Sequence, residues 1–348
     1  MNKPKKKLKY LILALCLNAF SSFTVFSQNP PPTPKPGIEA KPVHRVRVRP
    51  PRPKIIFQSG GETSEKMMMV DGKVTVQLCI LQGNLKINGW DRNEVRVFVK
   101  DGSKIGFNIL QKNRQNSSPV WIEVTGYEAE RNQPKRSGEC LNGDEIEIDV
   151  PRNASVNVKG QETKTSVDSV RKAVVKNIGG DISLRNIAAG VEAATYEGDV
   201  TVENSSGAFT LESATGNIVA FEVSPSEIGD IFKAKTTNGA IALQDLEHRQ
   251  VEVNSISGSI SFNGDFSNGG SYNFGTSNGV ITLSVPANSS SKISASYGFG
   301  GFSSEIPINK IIENKNPSGQ SIIGTMGNGD ATLNLTTASG AIRIRSKK

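Results

Sequence analysis

The chain has few of the side chains from which metal sites and most active sites are built. Its 348 residues include two histidines, His44 and His248, and three cysteines, Cys16, Cys79 and Cys140. None of these has the short ligand spacing of a zinc site, so no metal-binding residue is assigned. Carboxylates are spread along the chain, with no pair converging with a third group, so no catalytic and no cofactor-binding residue is assigned either. Aromatic residues make up 6% of the composition, too few for a row of stacking platforms. Beyond residue 26 no apolar run is long enough to cross a bilayer, which takes about 20 residues.

Strong charge is also missing from the part that folds. The formal net charge is +8, but residues 1–54 hold twelve Lys/Arg against one Glu. The remaining 29 basic and 32 acidic residues leave a balance of −3. A near-neutral domain lacks the electrostatic footprint of a nucleic-acid binder, so no nucleic-acid partner is expected.

The basic residues sit in two N-terminal segments. Residues 1–27 read as a secretory signal, with a lysine-rich start, an apolar stretch from Leu11 to Phe20 and a small-residue exit at Val25-Phe26-Ser27. Leu15 is too bulky for lipoprotein processing at Cys16. Read instead as an uncleaved anchor, Leu8–Phe26 would almost span a bilayer. Under both readings the rest of the chain is exported, to the periplasm, the cell surface or the exterior. Residues 28–54 carry nine prolines in 27 positions, which excludes a helix or an inner strand and describes an extended linker. This linker is either a stiff spacer or a basic arm for an anionic polymer or lipid headgroups. Membrane contact is expected only through an uncleaved anchor or through this basic linker.

Two cysteines remain after the signal. In an oxidising compartment Cys79 and Cys140 are expected to form a disulfide.

Residues 55–346 are rich in Gly, Ser, Thr, Asn and Val and alternate apolar with polar, with turn residues every eight to twelve positions. The alternation resolves into a repeat. Glycines 180, 198, 216, 239, 258, 279, 300 and 340 form one column. Seven and five residues before each glycine, and two and four after it, stand mostly apolar residues. In the unit of Gly216, for example, these are Phe209, Leu211, Ile218 and Ala220. Three before stand mostly hydroxyls, such as Thr195, Ser213, Thr236 and Ser255. Each unit is therefore a short strand, a glycine corner and a second short strand, both burying every second residue on one side. All the variation in unit length falls between the second strand and the next unit. Such a pattern fits a stacked coil, whose core-lining strands keep register while one corner bulges into solvent. The expected fold is all-β, a single-stranded-coil β-solenoid of eight to ten rungs of 18–23 residues. The expected division is an N-terminal β region at 55–153, with first rungs and loops, and a repeat solenoid at 154–346.

Several details follow from the register. VTVQLCILQGNLKI, from Val74, fits the template with Gly83 in the corner, and residues 154–167 form a degenerate unit with Thr163 in the glycine slot. Residues 101–143 look irregular, with loops at QKNRQNSSP and AERNQPKRSGE. Outward columns place Glu212 beside Lys235 and Lys233 beside Glu252, a mixed-charge ladder. Asp199, after Gly198, is in a column that also holds Ala240 and Val280, so the Gly-Asp pair is a turn feature, with Asp bonding locally, and not a ligand site.

The run GNLKINGWDRNEVRV, then IEIDVPRNASVNV, repeated [ST]-x-x-G-[DNSA]-[IV] units and a closing GTMGNGDATLNLTTASGAIRIR carry a family resemblance. Over roughly 70–346 the chain is similar to the bacterial extracytoplasmic domain family labelled "putative adhesin", a domain of unknown function. That resemblance implies a β-solenoid of the cell envelope or surface and brings no catalytic residues.

The expected function is a non-enzymatic exported module that binds a protein or an envelope polymer, or serves as a scaffold. A β-helix enzyme acting on polysaccharide is the alternative. Tyr297, Phe299 and Phe302, close to Tyr272 and Phe274 in the stack, form the one aromatic concentration. These five residues are the candidate ligand patch, against a reading as core filling.

Overall fold

The computed structural model of the protein describes residues 63–127, 139–316 and 319–347. The segments read as signal (1–27) and proline-rich linker (28–54) lie outside the described residues. Among the described residues there are strands and no helix.

The N-terminal part contributes β1 (Ser64–Met69), β2 (Thr75–Trp90), β3 (Glu94–Lys100), β4 (Lys104–Lys112), β5 (Pro119–Tyr127) and β6 (Leu141–Pro151). The long β7 (Ser155–Asp168) follows. Strands then come in pairs across a corner. The first are β8 (Lys172–Gly179) with β9 (Ile182–Arg185), and β10 (Val191–Glu197) with β11 (Val200–Ser206). Next come β12 (Phe209–Thr215) with β13 (Ile218–Ser224), and β14 (Ile231–Asn238) with β15 (Ile241–Leu246). After them come β16 (Gln250–Ser257) with β17 (Ile260–Asn263), and β18 (Ser271–Asn278) with β19 (Ile281–Val285). The chain ends with β20 (Ser291–Phe299) and β21 (Phe302–Ser304), the hairpin β22 (Asn309–Asn316) and β23 (Gly319–Met326), and finally β24 (Ala331–Ser339) with β25 (Ile342–Ser346).

Two parallel ladders result, joined along the corner. In the first, the spatial order is β5, β2, β7, β8, β10, β12, β14, β16, β18, β24, β20. In the second it is β6, β2, β7, β9, β11, β13, β15, β17, β19, β25, β21. Strands β2 and β7 run through the corner and belong to both ladders. This is a β-solenoid. Inward residues of both ladders share one core: Phe209, Phe232, Val251 and Tyr272 stack in register and are buried, as are Ile218, Ile241, Ile260 and Ile281 across from them. Burying each such side chain contributes roughly 1.5–3 kcal/mol.

Pairing crosses the boundary expected at 153/154 without a break, because β2 pairs with β7 from Thr75↔Ser155 to Asn88↔Asp168. The degenerate unit is thus a full member of the stack, with Thr163 opposite Gly83. Residues 101–143, read as irregular, contain β4 and β5; only a tight turn at 113–118 interrupts them, and residues 128–138 lie outside the described residues.

Stacking order departs from sequence order in two places. Strand β2 is held between β7 on one side and the later β5 and β6 on the other. At the far end β24 and β25, the last strands of the chain, lie between β18/β19 and β20/β21. The cause is the hairpin: β23 pairs antiparallel on one edge of β20, which leaves the other edge for β24. Antiparallel strands also finish the N-terminal end, β4 on β5 and β1 on β3 on β6.

The corner explains the glycine column. An added Cβ on Gly198 would collide with the carbonyl oxygen of Gly180, and one on Gly216 with that of Gly198; the pattern continues through Gly239, Gly258, Gly279, Gly340 and Gly300. At Gly198 (φ 144°) and Gly216 (φ 151°) the backbone also lies in the region that favours glycine. Each corner carbonyl then accepts a buried hydroxyl from the next rung: Ser213 Oγ donates to Gly198 O (2.9 Å), Thr236 Oγ1 to Gly216 O (3.0 Å) and Thr276 Oγ1 to Gly258 O (2.9 Å). The residue after the glycine bonds between rungs, not locally as the sequence led us to expect. Asp181 Oδ1 accepts from Asp199 N (3.1 Å), Asp199 Oδ1 from Asn217 N (2.7 Å) and Asn217 Oδ1 from Ala240 N (2.9 Å). A free amide one rung away outcompetes a bond within a turn already used by the ladder.

Cys79, facing outward on β2, is disulfide-bonded to Cys140 just before β6, with Cα atoms 4.6 Å apart. The bond pins the returning chain beside β2 across a sequence separation of 61.

Two measurements test this account. Gly216→Ala should lower stability by about 3 kcal/mol or more, because a carbonyl fixed by two ladders cannot move aside. Gly301→Ala, where an added Cβ meets nothing within 4 Å, should stay within about 0.5 kcal/mol; urea midpoints at constant m-value read both. Replacing Cys79 and Cys140 by serine should remove ~4 kcal/mol in the chain-entropy model, read as a lower unfolding midpoint that reductant no longer shifts.

Candidate functional site

Positions six, four and two before the corner glycine point outward from the first ladder. Over β8 to β16 the six and four positions carry Lys176, Glu192, Glu212, Lys233, Lys235 and Glu252 among uncharged residues. Lys176 pairs with Glu192, and Lys233 with Glu252 at 3.6 Å. Register sets Glu212 opposite Lys235, as it sets Lys233 opposite Glu252. Lys235 nevertheless forms no ion pair among the described residues.

Beyond Glu252 the outward side chains lose their charge: Asn254 and Ile256 on β16, Asn273, Gly275 and Ser277 on β18, Asn334 and Thr336 on β24. Here the face dips into an open groove of about 490 Å³, bounded at one end by Lys235. Gly275 makes the dip, since a Cβ there would lie 2.7 Å from Asn254 Oδ1. Asn334 Nδ2 donates to Asn273 Oδ1 at 2.7 Å, and Asn254 Nδ2 to Glu252 Oε1 at 3.5 Å. Register sets Asn273 and Asn334 in one row with Glu252, and Asn254 in the next row with Lys235, Gly275 and Thr336.

The five-residue aromatic patch is not formed. Tyr272 and Phe274 point inward, at 0% and 2% exposure, and pack with Phe262 and Phe266. Tyr297 is buried too, Phe302 is half-buried against the core, and Phe299 alone is exposed, at 83%. Strand alternation turns Tyr272, Phe274 and Tyr297 into the core, and β24 separates the first two from the rest.

Other polar groups are internally engaged. At the N-terminal end Arg96 Nε donates to Asp149 Oδ2 (2.7 Å) and its guanidinium reaches Glu65 and Glu147 (3.7 and 3.8 Å) and lies 5.9 Å from the Trp90 ring. The Asp149 bond raises the Arg96 pKa, so this cluster is a clamp between β3, β6 and β1. Among the described residues no three His, Cys, Asp or Glu are grouped to hold a metal ion. His248 is fully buried between Phe209 and Phe232, with Nε2 2.7 Å from Gly207 O, and that acceptor assigns the proton to Nε2. Burial pushes its pKa down, against the Gly207 bond and the charges of Asp230 and Glu247. His44 lies outside the described residues.

Sequence reasoning names Lys235 and Asn254 only as members of outward columns, and does not single out Asn273, Gly275, Asn334 or Thr336 as a site. The available signal is the change from charged to uncharged outward residues after Glu252.

Fold and face together define a β-solenoid domain with a regular, mostly charge-paired outer sheet. A family model, Toastrack DUF4097, matches residues 82–345, and the chain belongs to that family. The match coincides with the resemblance read from residues 70–346. Among solved structures, one described as a putative adhesin from Parabacteroides distasonis ATCC 8503 is similar at 9% identity, over 82% of this chain and 97% of that chain, with a TM-score of 0.32. Another, a putative cell adhesion protein from Clostridium sporogenes ATCC 15579, has 13% identity over 82% and 100% of the two chains and a TM-score of 0.21. Likeness at these TM-scores carries no functional argument. No curated protein matches the chain.

The buried histidine gives a pH prediction. Its folded pKa lies below that of the unfolded chain, about 6.5, so below that pH the unfolded state binds the extra proton. Stability should hold above pH 6.5 and fall as pH drops below it, by at most about 1.4 kcal/mol per unit. Denaturant midpoints between pH 7.5 and 5 should show this slope in the wild type, and His248→Phe should flatten it.

Proposed function

We propose that this chain is a non-enzymatic, exported cell-envelope or surface module. It presents the outer face of the first ladder to a protein or an envelope polymer. The carrying observation is the groove at Asn254, Asn273, Gly275 and Asn334, an amide-lined depression with Lys235 at one end, beside a part of the face where Lys176 pairs with Glu192 and Lys233 with Glu252. Sheet rigidity supports the reading, because amides fixed on paired strands of one ladder meet a ligand with little ordering entropy. Exposed Ile178 and Tyr196, side by side two residues before their corner glycines, add an apolar patch to the same face, and such patches mark interaction sites. Export rests on the lysine-rich, apolar opening of residues 1–27.

The test is retention of the full chain on washed bacterial envelopes. Asn334→Trp, which fills the groove from an exposed position, should reduce retention about tenfold or more. Ser261→Glu, on the outer face of the second ladder, should leave it unchanged. Equal retention of wild type and Asn334→Trp overturns this reading, and so does shortening of an envelope polysaccharide by the purified chain.

A further inference from the structure

The groove runs across the strands, from Lys235 on β14 over β16 and β18 to Thr336 on β24. An occupant lying along it meets a fresh row of side chains at every strand spacing, about 4.7–4.9 Å. An extended peptide turns a side chain to one face only at every second residue, about 6.4–6.8 Å, and does not match that spacing. A chain of 1,4-linked pyranoses advances by close to one strand spacing per sugar and stays in step.

The lining has matching chemistry. Asn254, Asn273 and Asn334 present amides and Thr336 a hydroxyl, groups that both donate to and accept from sugar hydroxyls. Gly275 leaves room for a ring to approach the sheet, and Ile256 offers an apolar edge at the rim. Among the described residues no carboxylate lines the groove, although Glu252 reaches Asn254 from its side at 3.5 Å, and Lys235 stands at its end without an ion pair while Lys233 is paired to Glu252. A cation of this kind complements one carboxylate of a ligand laid along the groove.

We infer that the groove binds an extended acidic polysaccharide of the uronate class, laid along the stack with one sugar per rung. One of its carboxylates meets Lys235 and its hydroxyls meet Asn254, Asn273 and Asn334. This assignment rests on the reading of this face as the binding surface.

The test measures binding of the full chain to polygalacturonate, to the same polymer fully methyl-esterified, and to polyglutamate. The wild type should bind polygalacturonate, bind the ester about tenfold more weakly, and bind polyglutamate no better than the ester. Lys235→Gln should erase the difference between acid and ester. Asn334→Asp, nearly isosteric and exposed, should weaken binding of the acid about tenfold by placing a like charge in the groove. Polyglutamate bound as tightly as polygalacturonate overturns the assignment, as does polygalacturonate binding that neither variant changes, or none at all. If polygalacturonate fails while Asn334→Trp still abolishes envelope retention, the sugar class is wrong and the binding face stands. If retention is also indifferent to Asn334→Trp, both readings fall.

Discussion

Each corner carbonyl in this protein aims at the α-carbon of the glycine one rung further on. That approach leaves no room for a Cβ, so the column must be glycine wherever another rung stacks above it in this way. The same carbonyl would be a buried acceptor without a partner, which is costly. The hydroxyl three residues before the next glycine supplies the donor, at Thr195, Ser213, Thr236, Ser255, Thr276 and Thr337. Glycine and hydroxyl are two halves of one contact. With the corner fixed to within a hydrogen bond, both ladders keep register for their full length, and inward residues must stack like on like. Insertions are then tolerated only at the opposite edge, where Ser226 and Glu227 close a loop on Asp230.

The same contact shows where the chain leaves its simple order. Gly340 faces Gly279, and Gly300 faces Gly340, so the last rung in sequence is an interior rung in space. Strands β18 and β20 meet only through β24. The end of the stack therefore depends on the last residues of the chain reaching a slot between two earlier rungs. Contacts of such long sequence separation are formed late and at high entropic cost.

Regularity of the backbone gives the outer face its character. Alternation puts every second residue on the surface, and neighbouring rungs set these side chains about one strand spacing apart. Where the column carries Lys and Glu the charges neutralise each other. Where it carries Asn, Gly and Thr the face is a row of fixed dipoles with one bare cation at its end. A candidate site arises here without a loop, a cofactor or a convergent triad, and for that reason none of the usual motif signals points to it.

Much of the fold was legible in sequence because its cause is local and periodic. Alternation marked the strands, and the glycine column with its hydroxyl companions marked the corner, since one backbone approach imposes the same two residues in every rung. The site was much less legible. Tyr272, Phe274, Tyr297, Phe299 and Phe302 looked like a patch because sequence order was taken for stacking order, and β24 parts them. The groove depends on Asn334 and Thr336 lying against Asn273 and Gly275, residues about 60 positions apart in the chain. Sequence by itself determined which residues face inward and where the corner lies, because sterics and period are properties of the single rung. Which rung lies beside which, and so which outward side chains form a surface together, was decided only by the tertiary structure, because the hairpin of β22 and β23 took one edge of β20 and left the other to the end of the chain.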